Sequence, residues 1–395
     1  MLREAWGQVK SNQGTSGVDE EEIEEIVAEG KVESMIQELQ QILKSRTYQP
    51  SAVRRVDIPK PQGGTRPLGI ATVRDRVVQT AMKIVMEPIF EADFHDCSYG
   101  YRPKRDAKMA SNRIREDLYN RSWGVVEIDF KSYFDSIPHE ELMKLVAGRI
   151  ADGSMLELVR KCMKVGVSHK GVVTPTKVGV PQGSPLSPLL SNIYLNLLDQ
   201  VWHQRQYHLP ENLHATLHRF ADDAVMVCRK KNALQVREVL NTIIRRMGLV
   251  LNEEKTKVTT LKEGFDFLGF QFIKRKSPTT GKSVIYIFPR KKSEKALRRR
   301  IKYLTDRRAP ITEKQFLEQV NRDVRGWANY YRHTNASESF RRIQRFINMR
   351  FRRFLQYRSK RRGFGWRRLP NKVLYAKGII YIGSGYTRYG RFANA

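Results

Sequence analysis

The segment from His218 to Val227 constrains this chain most, because it sets Asp222 and Asp223 between two apolar, partly alternating runs. This pattern predicts a β-hairpin with the aspartates at its turn. Alone it is weak, since aspartate is common in turns, where its side chain bonds nearby backbone. A third aspartate, Asp129, ends the apolar run that begins at Val125. A strand-borne aspartate and a hairpin pair together form the carboxylate set that two Mg²⁺ ions require for phosphoryl chemistry.

The charge of the chain predicts a polyanionic partner. The net charge is +31 over 395 residues, with a pI near 10.2. Counterion release from a nucleic acid would then supply much of the affinity, and an unspecific supercharged surface is the alternative. From Arg290 to the end there are 30 Lys and Arg against 6 Asp and Glu, a net of +24. A boundary is therefore expected near 289–292, with an ordinary enzyme core before it.

The basic region has the pattern of a folded helical unit rather than of a disordered tail. Two apolar stripes at helical spacing predict two helices with buried faces. Their aromatic residues are expected in the core, with base stacking as the alternative. The first stripe is Phe316, Val320, Val324, Trp327 and Tyr331, and the second is Ile343, Phe346, Ile347, Phe351 and Phe354. The other faces of the second helix are assigned to Arg341, Arg342, Arg345, Arg352 and Arg353.

Several classes of protein are excluded by composition. No apolar run approaches the length of a membrane span, and the amino terminus lacks a signal-peptide pattern. The three cysteines are far apart, which argues against a disulfide framework and against a Cys-x-x-Cys zinc module. A cytoplasmic protein with reduced thiols and two or three subdomains is expected.

The remaining pattern mixes strands and helices in an α+β arrangement. Asp19 is expected to cap a helix through Ile23 and Ile26, and residues 265–272 are expected to form one strand. Further helices are predicted at 32–43, 75–90, 187–198 and 232–247, and strands at 53–70 and 124–130.

Two loops have residues suited to a nucleotide. The prolines and glycines of Gly179–Pro188 specify a rigid shape, from which Gln182 would present an amide to a base pair or sugar. Lys60 and Arg66 flank a glycine turn and would suit a triphosphate, although a plain surface hairpin has the same pattern. Phe134 is either core or an aromatic wall that rejects a ribose 2′-hydroxyl.

Taken together, these segments resemble the reverse transcriptases encoded by group II introns, the intron reverse transcriptase/maturase family. The matching segments occur in the family's order over nearly the whole chain. They are residues 14–19 (GTSGVD), 66–70 (RPLGI), 98–103 (SYGYRP), 127–134 (EIDFKSYF), 180–185 (VPQGSP), 220–223 (FADD), 251–256 (LNEEKT), 267–270 (FLGF) and 325–331 (RGWANYY).

The resemblance implies a right-hand polymerase with fingers, an antiparallel palm sheet and a basic helical thumb or maturase region. It implies that the enzyme is an RNA-directed DNA polymerase that also assists intron splicing and mobility. The implied divisions are an N-terminal extension at 1–50, fingers and palm at 51–285, the thumb/maturase domain at 286–362 and a basic tail at 363–395 that is a candidate DNA contact. The implied partners are group II intron RNA, an RNA template with a DNA primer, target DNA and dNTPs.

The resemblance also implies roles for individual residues. Asp129, Asp222 and Asp223 would be catalytic and would hold two Mg²⁺ ions, for which Mn²⁺ could substitute, with Asp222 as the principal ligand beside Asp129. The dNTP would contact Lys60, Arg66 and Lys255, with Gln182 lining its pocket and Phe134 as sugar gate.

Two departures from the family pattern matter. Phe220 replaces the usual tyrosine before Ala-Asp-Asp, which removes a hydroxyl but no metal ligand. The sequence also lacks the Cys- and His-bearing DNA endonuclease domain of many relatives, so a mobile intron enzyme of this kind is expected to prime from pre-existing or nascent DNA ends. Two alternatives stay open, namely an RNA-binding maturase with a vestigial polymerase, and a relative recruited to host defence or repair.

Overall fold

The computed structural model of the chain describes residues 1–59, 64–120, 124–169, 171–176, 178–203, 213–306, 310–363 and 365–383. Their helices are α1 (Leu2–Asn12), α2 (Ile23–Ala28), α3 (Val32–Lys44), α4 (Val73–Glu91), α5 (Ala107–Asn120), α6 (Tyr133–Ser136), α7 (His139–Ala147), α8 (Gly153–Met163), α9 (Ser187–His203), α10 (Ala233–Arg246), α11 (Lys291–Leu304), α12 (Glu313–Tyr331), α13 (Ser337–Arg358) and α14 (Asn371–Ala376). Their strands are β1 (Val53–Pro59), β2 (Thr65–Ile70), β3 (Gly124–Ile128), β4 (Val167–His169), β5 (Val172–Thr174), β6 (Thr216–Phe220), β7 (Asp223–Cys228), β8 (Lys257–Thr260), β9 (Phe265–Phe267), β10 (Phe270–Lys276) and β11 (Ser283–Pro289).

The chain divides into two compact units. The first comprises Met1–Ala110 and Val126–Val258, and the second comprises Ser111–Val125 and Thr259–Ala395. The mixture of helices with antiparallel hairpins confirms the α+β class predicted from the sequence. The four sequence-based domain limits stay predictions.

The palm-like sheet contains the predicted hairpin at its edge. Its strand order is β6-β7-β3-β8, and β6 and β7 pair antiparallel from Thr216 with Val227 to Phe220 with Asp223. Val126 and most of β7 are buried, and Val126, Ala224 and Met226 belong to the hydrophobic core of the first unit. Hydrophobic burial of this kind is the main stabilising term for such a layer.

A second sheet in the first unit has the order β2-β1-β4-β5. Strands β1 and β2 form an antiparallel hairpin whose register runs from Arg54 with Ile70 to Pro59 with Thr65. This confirms the β-rich segment predicted between Val53 and Ile70. The outer residues of both strands are largely exposed, including the apolar Val56 and Ile58, so this end of the hairpin does not bury a core face.

Long helices form the core behind the palm sheet. Helix α4 begins directly after Thr72, whose hydroxyl accepts the Asp75 N–H as an N-cap. Helix α9 is buried over most of its length, including Leu195 and Leu198. The predicted cap at Asp19 is wrong, since α2 begins after Glu22, which forms a capping box with Glu25.

The second unit contains a three-stranded antiparallel sheet of order β11-β10-β9. The single strand predicted for residues 265–272 is wrong. The chain reverses at Leu268 and Gly269, both at positive φ, so that Phe270 pairs with Phe267 and Phe272 with Phe265. Because both sides of the turn are apolar, the sequence pattern does not reveal the reversal.

The helices of the second unit confirm the two predicted stripes. In α12 the residues Phe316, Val320, Val324 and Tyr331 are buried, while Trp327 is half-buried. In α13 the buried apolar residues are Ile343, Phe340, Ile347, Phe351, Phe354 and Leu355, with Phe346 half-buried.

Arg352 corrects the prediction that the arginines of α13 all lie on its exposed faces. It is 1% exposed, and its Nε donates to the Leu369 carbonyl at 2.7 Å. Its Nη2 donates to Asn371 Oδ1 at 2.8 Å, and its guanidinium lies 3.9 Å from the centre of the Trp366 ring. A buried arginine needs such partners, and these belong to the segment after α13, which is folded through Gly383 in the described residues.

Within the described residues, no helix is long and apolar enough to cross a membrane. The three cysteines are all free thiols.

Candidate active site

The turn of the β6–β7 hairpin consists of Ala221 and Asp222. Because Phe220 pairs with Asp223, only two residues connect the strands. Ala221 has φ of 56°, which is uncommon for a residue other than glycine but is what the primed two-residue turns require. The turn therefore presents Asp222 and Asp223 side by side at the end of the palm sheet.

A buried ion pair is hydrogen-bonded to the backbone of this turn. Arg219 and Asp199 have fully buried side chains, and Arg219 Nε contacts the two carboxylate oxygens at 2.9 and 3.1 Å. Arg219 Nη1 also donates to the Ala221 carbonyl at 3.1 Å and to Asn192 Oδ1 at 2.9 Å. Since breaking a buried pair leaves an uncompensated charge and costs about 3–5 kcal/mol, this network holds the strained turn in one position.

Gly100 packs directly against the same turn. A Cβ at this position would lie 2.3 Å from the Ala221 nitrogen and 2.8 Å from the Phe220 carbonyl carbon. The Gly100 carbonyl accepts a hydrogen bond from Asn192 Nδ2 at 2.8 Å. Only glycine allows this close approach of two backbones.

Asp129 lies directly after β3, the strand next to β7 in the sheet. Its carbonyl accepts the Asn252 N–H at 2.8 Å, and Phe130 bridges to Leu251. Lys255 Nζ lies 3.0 Å from Asp129 Oδ2. The structure thus brings together Asp129 and Lys255, which are far apart in the sequence.

The electrostatics show three carboxylates that repel each other. Burial raises the pKa of Asp222, and the charge of Asp129 raises it further, whereas Arg66 opposes the shift. The pKa of Asp223 rises to about 6, first because the surrounding protein removes part of its hydration and then because of Asp222 and Asp129. Lys255 opposes that shift, and the Asp223 side chain keeps one side open to solvent.

This donor set fits divalent cations of the Mg²⁺ class. The candidate ligands are hard carboxylate oxygens, which Mg²⁺ prefers, and one side of the site is open for water or phosphate ligands. A bound cation would also remove the repulsion that raises the pKa of Asp222 and Asp223. Asp129, Asp222 and Asp223 are therefore the residues that would hold the ions.

The rigid loop lies against the β1–β2 hairpin. Arg66 Nε donates to Gln182 Oε1 at 2.9 Å, and Gln182 Nε2 donates to Asp135 Oδ1 at 3.2 Å. The Gly69 N–H donates to the Gln182 carbonyl at 2.7 Å. The loop borders a cavity of about 350 Å³, whose lining includes Gln182, Asp135 and Arg55. Arg66 is exposed and is a charged neighbour of Asp222, so it faces the carboxylate site.

Other predicted site residues have different environments. Phe134 is buried at 7% exposure in the core of the first unit, and its proposed contact with a sugar stays a prediction. Lys60 lies outside the described residues. Phe220 is half-buried beside the turn, and its replacement of tyrosine leaves all three carboxylates in place.

Sequence reasoning did not assign three contributors to the site. Asp135 accepts a hydrogen bond from the Gln182 amide, and Asp199 neutralises Arg219. Tyr101 lies within the electrostatic influence of Asp222 and Arg66. Burial and Asp222 raise the pKa of Tyr101. Tyr101 directly follows Gly100 and has a positive φ of 57°. Tyrosine rarely adopts this conformation, so the sequence did not predict it.

Two protein families match this chain. Residues 58–272, more than half of the chain, match the family described as reverse transcriptase (RNA-dependent DNA polymerase). Residues 294–372 match the group II intron maturase-specific domain. The two matches contain the carboxylate site and the basic helical region respectively.

Curated relatives agree with these families. Protein YkfC of Escherichia coli (strain K12) is 36% identical over 311 residues, which cover 71% of this chain and 81% of that protein. The group II intron-encoded protein LtrA of Lactococcus lactis subsp. cremoris is 30% identical over 340 residues, covering 71% of this chain and 56% of LtrA. The putative COX1/OXI3 intron 1 protein of Saccharomyces cerevisiae is 28% identical, covering 72% of this chain and 40% of that protein. This chain therefore belongs to the reverse transcriptases, the RNA-directed DNA polymerases, of the group II intron type, and contains their maturase-specific domain.

Proposed function

We propose that this chain copies RNA into DNA with two Mg²⁺ ions and binds a group II intron RNA to assist its splicing and mobility. The observation that carries the polymerase is the cluster of Asp129, Asp222 and Asp223 on neighbouring strand ends, with Arg66 and Lys255 beside it. Reverse transcriptases use divalent metal ions, and these carboxylates would hold them.

Each neighbouring residue has a role in this proposal. Bound Mg²⁺ would supply Lewis-acid activation and charge neutralisation for a 3′-hydroxyl attack on a dNTP. Arg66 and Lys255 would attract the triphosphate, because both are exposed cations next to the carboxylates. Gln182, held between Arg66 and Asp135, would position the nucleotide. Positioning and charge neutralisation are the main contributions to catalysis of phosphoryl transfer.

The maturase function is supported by the second unit. Its helices bury their apolar stripes and leave arginines such as Arg341, Arg345 and Arg353 exposed. Such a basic folded surface suits the phosphates of intron RNA, a template–primer duplex or target DNA. The match to the maturase-specific domain makes intron RNA the proposed partner.

Primer extension on an RNA template with Mg²⁺ and dNTPs tests the polymerase. The wild type is expected to extend a DNA primer, and Asp222→Ala is expected to lose extension while its affinity for RNA stays unchanged. Glu157→Ala is the matched control, because it also removes one carboxylate but from the exposed face of α8. A wild type that binds RNA tightly without extending the primer would leave only the maturase function.

A further inference from the structure

Two histidines and a cysteine, none of them among the predicted site residues, meet at the end of α9. They are His95 and Cys97, in the loop after α4, and His203, the last residue of α9. Each offers one ligand atom, and these atoms lie within 4.8 Å of one another. The two imidazole rings are stacked, with centroids 4.0 Å apart and planes 9° apart.

The loop holding His95 and Cys97 is fixed by buried contacts. Arg102, 6% exposed, donates from Nη1 to the His95 carbonyl at 2.7 Å and to the Ser98 carbonyl at 2.9 Å. The His95 N–H donates to Asn196 Oδ1 of α9 at 3.2 Å. The loop is therefore hydrogen-bonded to α9, the helix that contains His203. These backbone contacts hold the three residues close together.

The orientation of His95 leaves a lone pair directed toward Cys97. Its Nδ1 accepts the Cys97 N–H at 3.2 Å. An ion bound at this nitrogen would replace the hydrogen bond with a coordinate bond. Burial and the neighbouring Asp199 raise the pKa of the Cys97 thiol well above its ordinary value. Ion binding would therefore have to displace the thiol proton to solvent and leave a thiolate beside the cation.

We propose that His95, Cys97 and His203 form a binding site for a transition metal ion, Zn²⁺ in the first instance. Two imidazoles and one thiolate are ligands that Zn²⁺ prefers and Mg²⁺ does not. Tetrahedral bonds of about 2.0–2.3 Å place ligand atoms roughly 3.5 Å apart. Because an imidazole binds an ion in its own ring plane, one of the two stacked rings must turn out of the stack for both to bind the same ion. Three protein ligands leave a fourth position for water or another small ligand.

The proposed ion would have a structural effect on the catalytic hairpin. The Cys97 carbonyl accepts the Arg219 N–H at 2.8 Å, and the Arg219 carbonyl accepts the Tyr99 N–H at 2.9 Å. Arg219 directly precedes the Phe220–Asp223 turn, and its Nη1 donates a hydrogen bond to the Ala221 carbonyl within that turn. An ion joining this loop to α9 would therefore stabilise the strand that supports Asp222.

Cobalt titration tests the site, using protein without a polyhistidine tag, kept reduced and first stripped with a chelator. We expect one Co²⁺ per chain with a thiolate-to-cobalt charge-transfer band, displaced by one equivalent of Zn²⁺ and insensitive to excess Mg²⁺. Cobalt at the carboxylate site cannot give that band, because it has no sulfur ligand. His203→Ala should weaken binding by at least about tenfold.

Cysteine variants identify the sulfur. Cys97→Ser should lose the band, whereas Cys162→Ser is the matched control, since Cys162 is also buried but contacts Met82 rather than histidine. If Cys97→Ser fails to fold, a chain with Cys162→Ser and Cys228→Ser keeps Cys97 as its single cysteine and should retain the band. A wild type without the band at saturating Co²⁺, or a folded Cys97→Ser variant that keeps it, would overturn the proposal and leave the stacked histidines as packing alone.

Discussion

Replacing Gly100 with alanine tests whether close backbone packing sets the position of the catalytic turn. The added Cβ would lie 2.3 Å from the Ala221 nitrogen, while ordinary contact begins at 3.4 Å. The backbone of the turn must therefore move by about 1 Å, because the obstructing atoms are main-chain atoms rather than the end of a flexible side chain. The positions of Asp222 and Asp223 would change with it.

The expected loss is larger in activity than in stability. A misplacement of about 1 Å in a catalytic group reduces turnover by roughly 10²-fold, whereas overpacking of this kind costs about 1–3 kcal/mol in the free energy of unfolding. The assay is kcat/KM for single-nucleotide extension of a DNA primer on RNA, together with urea unfolding of the same preparation.

Gly7→Ala is the matched control for Gly100→Ala. Gly7 lies in α1, and a Cβ there meets no atom within 4 Å. This variant should keep full activity and gain about 0.5–1 kcal/mol of stability, since alanine favours helix. A Gly100→Ala enzyme with activity within threefold of wild type would refute the proposed dependence of the site on this contact.

Two further predictions follow from the same site. The folded-state pKa of Asp223 is raised from 3.8 to about 6, so its ionisation lowers the stability of the metal-free fold progressively between these two pH values. Asp223→Asn should therefore stabilise the fold at pH 8 by about 1 kcal/mol after allowance for solvent screening, and by almost nothing near pH 3. Urea unfolding in a chelator at the two pH values measures this, and an equal gain at both would contradict it. Phe134→Ala should admit ribonucleotides more readily, measured as the ratio of kcat/KM for dNTP and rNTP. It should also lower the free energy of unfolding by about 3–5 kcal/mol, because the ring is buried. An unchanged ratio would show that Phe134 is not the sugar gate.

The local sequence pattern was sufficient to predict the catalytic hairpin. Apolar, partly alternating runs on both sides of Asp222 and Asp223 identify β6 and β7, because short apolar runs bounded by turn residues are typical of buried strands. The stripes of α12 and α13 were predictable for the same kind of reason, with a period of 3.6. Where both flanks were apolar, as at Leu268 and Gly269, the pattern did not distinguish a turn from a continuous strand.

What the sequence by itself determined is therefore the local chemistry: carboxylates at a turn, cations near a glycine loop, and a basic helical unit with an apolar core. Only the tertiary structure decided which distant residues meet. The partnership of Arg219 with Asp199, the burial of Arg352 and the convergence of His95 and Cys97 on His203 each depend on contacts between separate elements. A residue's type sets which bonds it can form, but burial and partners come from packing, which no local period records.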